Sequence, residues 1–231
     1  MKEQQIELGI PPLEPGDRLT AEEFERRYEA MPHLKKAELI EGVVYMPSPV
    51  HHRRHGRPNL QLATWVGTYE AATPGVEGAD NGTARLDVGN TPQPDVLLLI
   101  DPACGGQARI SADDYVENAP EFVAEVASSS ASYDLHSKME VYRRNGVREY
   151  LVWRVLDQAI DWFVLRDGHY QPLPVGEDGI VRSEVFAGLW LDVQALLRGD
   201  LARVLAVVQQ GTSSPEHAAF VARLQAARSA P

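Results

Sequence analysis

Two spacings of apolar residues alternate along this chain. "DVLLLI" (residues 95–100) carries an unbroken apolar run behind its aspartate, the pattern of a strand buried on both faces. "EFVAEVA" (121–127) alternates, so Ala124 and Val126 share one face while Glu125 and Ala127 share the other. "EYLVWRVL" and "AIDWFVLRDGHYQPLPV" predict further strands, the second folded at an Asp167-Gly168 hairpin turn. "TARLDV" alternates and is expected as a strand, and "AELIEGVVYMPSP" predicts two short strands around Glu41-Gly42.

The helical spacing appears elsewhere. "TAEEFERRYEA" opens on Thr20 as N-cap, with Glu23 closing a capping box. "RPNLQLATWVGTYEAA" places Leu62, Val66 and Tyr69 on one face and ends before Pro74-Gly75. A third helix runs from about Tyr133 to Asn145 and stops at Gly146, with Leu135, Met139 and Tyr142 as its sheet-facing stripe. "LWLDVQALLRGDLARVLAVVQQ" and "SPEHAAFVARLQAA" are expected as a helical tail joined by the breaker "GTSSP". The fold class is therefore α/β, with a central mixed sheet flanked by helices. The expected organisation is an extended arm over residues 1–19, a folded domain over 20–195 and a C-terminal helical extension over 196–231.

Composition narrows the picture. The 231 residues are 44% hydrophobic and 24% charged, enough for one domain with a sizeable core. A single cysteine, Cys104, excludes an internal disulfide and a cysteine-rich zinc site, and with no base predicted beside it the thiol reads as inert. No apolar run approaches the ~20 residues that span a bilayer, and no N-terminal stretch resembles a signal peptide, so a cytoplasmic protein with no membrane partner is expected. The net charge of −11 argues against indiscriminate nucleic-acid binding by the whole surface. Local basic stretches remain: "HHRRHGR" holds Arg53, Arg54 and Arg57 with no acid, and "RRNGVR" adds Arg143, Arg144 and Arg148. Either alone reads as solvated surface; together they leave an anionic partner open.

Glu125 is a carboxylate inside an apolar strand, next to another strand that opens with Asp95. Burying a carboxylate costs several kcal/mol unless it is paired or metal-bound. Two carboxylates at neighbouring strand ends repel, and a divalent cation with hard oxygen ligands, magnesium or manganese, is the usual resolution. Lys138 lies about 60° from Leu135 on its helix, at the edge of the apolar stripe, where its stem can carry the ammonium toward Glu125. A solvent-facing Lys138 pairing with Asp134 fits the spacing equally well. The histidines of "HHRRH" make a weak metal site, since no glutamate separates His51 from His55 as in metalloprotease helices.

These residues carry a resemblance. "ELIEGVVYMPSP", "PQPDVLLLI", "EFVAEVASSS", "DLHSKMEVYRRNGVREYLVW" and "VFAGLWLDV" occur in the order found in the Uma-type family of restriction endonucleases, part of the PD-(D/E)XK nuclease superfamily. The resemblance spans roughly residues 20–195 and is most specific from Pro94 to Trp153. It implies a restriction-endonuclease-like core in which Asp95 is the PD aspartate and Glu125 the acid of the next strand. The superfamily lysine falls at Ala127 here, and Lys138 on the following helix takes its place. Glu38 matches a further family glutamate, with Glu41 a weaker candidate. The implied chemistry is Mg2+- or Mn2+-dependent hydrolysis of DNA, the metal held by Asp95 and Glu125 with help from Glu38 and a backbone carbonyl near Val126. Arg53, Arg54 and Arg57 are then the candidate phosphate contacts, and a homo-oligomer, a dimer, is expected. The rival expectation is a catalytically inactive nuclease fold used for binding or assembly, its helical tail pairing with another chain.

Overall fold

The computed structural model describes residues 9–46, 51–128 and 133–229. Parts of the expected arm (1–8), of the second short strand's flank (47–50) and of the serine-rich break (129–132) lie outside the described residues. Helix α1 (Ala21–Glu29) is followed by a hairpin of β1 (Glu38–Ile40) and β2 (Val43–Tyr45), then by helix α2 (Arg57–Ala71). Strands β3 (Val76–Asp80), β4 (Ala84–Arg85), β5 (Val96–Ile100), β6 (Arg109–Ile110), β7 (Val116–Glu117) and β8 (Phe122–Ala127) come next. Helix α3 (Met139–Asn145) leads to β9 (Glu149–Arg154), β10 (Ala159–Arg166), β11 (His169–Pro172), β12 (Ile180–Arg182) and β13 (Trp190–Asp192). The chain closes with α4 (Val193–Leu197), α5 (Leu201–Thr212) and α6 (Pro215–Arg228).

The central sheet has the order β11-β10-β9-β8-β5-β3. Its neighbours are antiparallel except β8 and β9, which run parallel. A parallel pair needs a crossover, and the segment carrying α3 supplies it. Every residue of β5 is buried. Val96, Leu98 and Ile100 join Trp65 and Tyr69 of α2 on one face, while Leu97 and Leu99 join Tyr142 of α3 on the other. The alternation in β8 holds too: Phe122, Ala124 and Val126 face α2, and Val123 and Ala127 face α3. Glu125 thus faces the α3 side. A smaller cluster built on Phe24, Leu39 and Val44 packs α1 against the hairpin. That hairpin turns through Glu41 (φ 52°) and Gly42 (φ 72°), consecutive left-handed residues that match the twist of the two strands.

Several elements depart from the expectations. The segment "VEGAD" is a strand, held at the sheet edge by pairing with β5 rather than by its own alternation. Of "TARLDV" only Ala84–Arg85 is extended, because the chain turns back between Asp87 and Asn90. Trp190–Asp192, expected to be helical, pairs with Ile180–Arg182 as a strand. Helix α5 runs through Gly211, and the break comes only at Ser213-Ser214, where Ser214 caps α6. Gly211 is there for packing: a Cβ would lie 2.1 Å from the Gly188 carbonyl oxygen. Val204 and Val208 of α5 and Phe220 and Leu224 of α6 join the same cluster as α2, so these apolar residues are used within the chain. No described helix is long and apolar enough to cross a membrane. At α1, Thr20 accepts from the Glu23 N–H at 3.3 Å, but the Glu23 carboxylate turns to Arg26 and Arg27, leaving the capping box half formed.

Candidate active site

Two π-helical turns flank this sheet end, His52–Gly56 before α2 and Asp134–Lys138 before α3. Such turns rotate side chains out of the ordinary helical register and recur at functional sites. The second widens the sheet-facing stripe: Asp134 and Lys138 are buried, while Leu135 and Met139 are only half-buried. Lys138, 3% exposed, lies beneath the sheet end rather than on the surface. Its Nζ donates to Glu38 Oε1 at 2.8 Å and to Glu125 Oε1 at 2.9 Å, and stands 4.0 Å from Asp134. The solvent-facing pair with Asp134 alone is therefore not what forms. Tyr142, one helical turn on, donates to the same Glu125 oxygen at 2.8 Å. The Gln93 N–H holds Glu38 Oε1 at 2.8 Å, tying β1 to the chain just before Asp95.

Asp95 enters β5 one residue before Val96, whose cross-strand partner is Ala124, so it stands opposite Glu125. Its Oδ2 accepts from the Val126 N–H at 2.8 Å and contacts His55 Nε2 at 3.1 Å, and its Oδ1 accepts from Lys36 at 3.0 Å. The backbone at Val126 thus contributes an N–H to Asp95. The sequence pattern did not single out Lys36, Tyr142 or His55 in these roles. A signal existed for the first two: Lys36 is two residues before Glu38 on the same side of an extended segment, and Tyr142 is four residues after Lys138 on a helix. For His55 the pattern points to solvent or phosphate, whereas its ring meets Asp95.

The electrostatics are lopsided. Glu38, Asp95, Glu125 and Asp134 are all buried, against the two ammonium groups of Lys36 and Lys138. Burial drives the Glu125 carboxyl up to about 8; Lys138 opposes this, and Asp95 and Glu38 add to it. Asp95 goes the other way: burial pushes it up, but the His55 contact, the Lys36 charge and the Val126 N–H outweigh it and hold it well below the usual carboxylate range. Lys138 stays charged, because Glu125, Glu38 and Asp134 overcome the effect of burial. Glu38, Asp95 and Glu125 gather three buried carboxyls at this sheet end, and carboxylates so placed repel one another unless a cation stands among them. Among the described residues no three His, Cys, Asp or Glu side chains form a ready-made metal cage. Magnesium does not require one, since it commonly takes one or two carboxylates and completes its shell with water and phosphate oxygens. The donor set fits a hard cation of that kind.

Arg53, Arg54 and Arg57 lie exposed on the first π turn and the start of α2. Among the described residues none of them has an acidic partner. Arg143 and Arg144, by contrast, are engaged by Glu140 and Glu41. Glu41 is spent on that exposed pair, away from Lys138. His55 belongs to the same π turn as Arg53 and Arg54 and contacts Asp95, so the free arginines border the carboxylates.

The sequence profile of the Uma2 family, described as "putative restriction endonuclease", matches residues 21–194. The chain belongs to the Uma2 family. Glu38, Asp95, Glu125 and Lys138 of this Uma2 protein all fall inside the matched stretch. Its fold is similar to the crystal structure of a "putative nuclease belonging to DUF820" from Anabaena variabilis. The TM-score is 0.57 with 13% identity over 75% of this chain and 96% of the other, a likeness of fold alone. A search of curated proteins finds no match.

Proposed function

We propose that this Uma2 protein is a metal-dependent endonuclease that hydrolyses DNA phosphodiester bonds at the cluster of Asp95, Glu125 and Lys138. One observation carries the reading: Lys138 lies within 2.9 Å of Glu38 and of Glu125, and Glu125 stands opposite Asp95, although these residues come from separate stretches of the chain. In this reading Asp95 and Glu125 hold Mg2+ or Mn2+, with Glu38 adding an oxygen. A cation bound there lowers the pKa of its water and withdraws charge from the phosphate. Both described donors to Glu125 use Oε1, which leaves Oε2 for the cation. Lys138, held by two carboxylates, orients the attacking water or faces the charge that grows on the phosphate. Arg53, Arg54 and Arg57 take flanking phosphates and set the register of the strand.

A nuclease assay with magnesium or manganese on supercoiled, linear and single-stranded DNA tests this. Cleavage is expected, and it is lost with chelator and in Asp95→Ala. A second reading, a nuclease fold kept as a binding or assembly module, is favoured by the donors already on both oxygens of Asp95: Lys36, His55 and the Val126 N–H. Wild type inert on every DNA form with either metal would leave that module as the better reading.

A further inference from the structure

Next to Lys138 lies an aromatic pair that the hydrolytic chemistry does not use. Tyr45, 38% exposed at the end of β2, packs against Tyr133 with ring centroids 4.5 Å apart and ring planes tilted by 37°. Tyr45 is the cross-strand partner of Glu38, so the pair stands directly beside the carboxylate that holds Lys138. Lys138 Nζ lies 5.8 Å from the centre of the Tyr133 ring. The Tyr133 hydroxyl is buried without a partner among the described residues, so the ring's placement is not explained by a hydrogen bond. Tyr45 precedes the basic stretch at His51 by six residues, a reach of at most about 20 Å. A solvent-facing aromatic surface therefore lies beside the buried carboxylates, within a chain reach of roughly 20 Å of a basic stretch whose three arginines lack acidic partners among the described residues.

We propose that Tyr45, backed by Tyr133, is a stacking platform for an unpaired nucleobase, and that the site takes DNA with a single-stranded or unstacked segment. This rests on the nuclease reading and names its substrate class. Inside an intact duplex each base is already stacked on its neighbours and presents no free face to Tyr45. An unpaired base does present one, and any base can use it, because stacking reads the π face rather than the hydrogen-bonding edge. The arginines serve the same strand through its phosphates, the second component of a single-strand groove. A base on Tyr45 places its own backbone next to Glu38 and Lys138.

The test is fluorescence anisotropy with a labelled oligothymidylate of about 16 nucleotides and a duplex of equal length, in calcium. Wild type, Tyr45→Ala and Tyr45→Trp are compared, with circular dichroism to verify folding. Wild type is expected to bind the single strand. Tyr45→Ala should weaken that binding about tenfold with a much smaller effect on duplex, and Tyr45→Trp should restore it. Equal losses on both forms, no loss, or a wild type with no affinity for the single strand would overturn the platform. A Tyr45-dependent affinity without cleavage of any DNA in magnesium or manganese would instead refute the nuclease reading and leave the platform standing. Cleavage of duplex and single strand by Tyr45→Ala at wild-type rates would do the reverse.

Discussion

The central sheet buries carboxylates at both of its ends and holds them in opposite ways. At one end Glu121 accepts from the Ile100 and Gln107 N–H groups at 2.9 and 2.8 Å. Glu149, where β9 begins, accepts from the Ser183 hydroxyl and from the Glu184 and Val185 N–H groups at 2.8–3.0 Å. All these donors are neutral, and most are fixed backbone. At the other end Glu38, Asp95 and Glu125 depend chiefly on Lys36, His55, Lys138 and Tyr142, side chains that can change partners. Burial by itself therefore marks a cost and not a use. A carboxylate pinned by backbone N–H groups joins segments, whereas one balanced by ammonium groups can exchange them for a metal cation and free the ammonium for a phosphate.

The largest expected effects separate the two ends by activity. Asp95→Ala and Glu125→Ala should each reduce metal-dependent cleavage to background. Glu121→Ala should keep the turnover of its folded fraction while losing about 1–3 kcal/mol of stability to unpaired N–H groups, read by urea unfolding. Abolished turnover in folded Glu121→Ala would erase the distinction. Next is Lys138→Ala, which leaves buried carboxylates without their counter-charge. A destabilisation of about 3–5 kcal/mol is expected together with loss of cleavage, and calorimetric melting measures the first. A variant as stable as wild type would mean that Lys138 is not buried between Glu38 and Glu125.

The contrast also predicts a pH effect. Burial raises Glu149 to about 7 from 4.5, with its hydrogen bonds pulling the other way. The folded protein then keeps a proton that the unfolded chain releases, so this group's contribution to stability is greatest below about pH 4.5, declines up to about 7 and is level above. Glu149→Gln retains an acceptor and should flatten that decline in melting temperatures taken across the window. An unchanged slope would show that Glu149 titrates normally. The smallest effect concerns the surface. Replacing Arg53, Arg54 and Arg57 together by alanine should weaken DNA binding across sequences and reduce the slope of log affinity against log salt by roughly 2–3. Identical salt dependence would reassign these arginines to solvated surface.

Where burial is written into local spacing, the chain was legible. "DVLLLI" is apolar throughout because β5 is covered on both faces, and Glu125 stands out as a charge within an alternating strand. Lys138 was legible only to the edge of its helix stripe, since the π turn that seats it under the sheet has no composition of its own. His55 reaches Asp95 across 40 residues, an encounter set by tertiary packing that no local period records. Strand β3, with Gly78 and two acids, owes its state to β5, and the three residues of β13 are too few to show a period inside an apolar run that also suits a helix.

The central claim is that the Asp95–Glu125 end is built to hold a divalent cation and the Glu121–Glu149 end is not. Isothermal titration of manganese into wild type, Asp95→Ala and Glu149→Gln at one pH tests it most directly. A single site in wild type, absent in Asp95→Ala and retained in Glu149→Gln, is the result predicted; a wild type that takes up no manganese, or an Asp95→Ala that binds it unchanged, would contradict it.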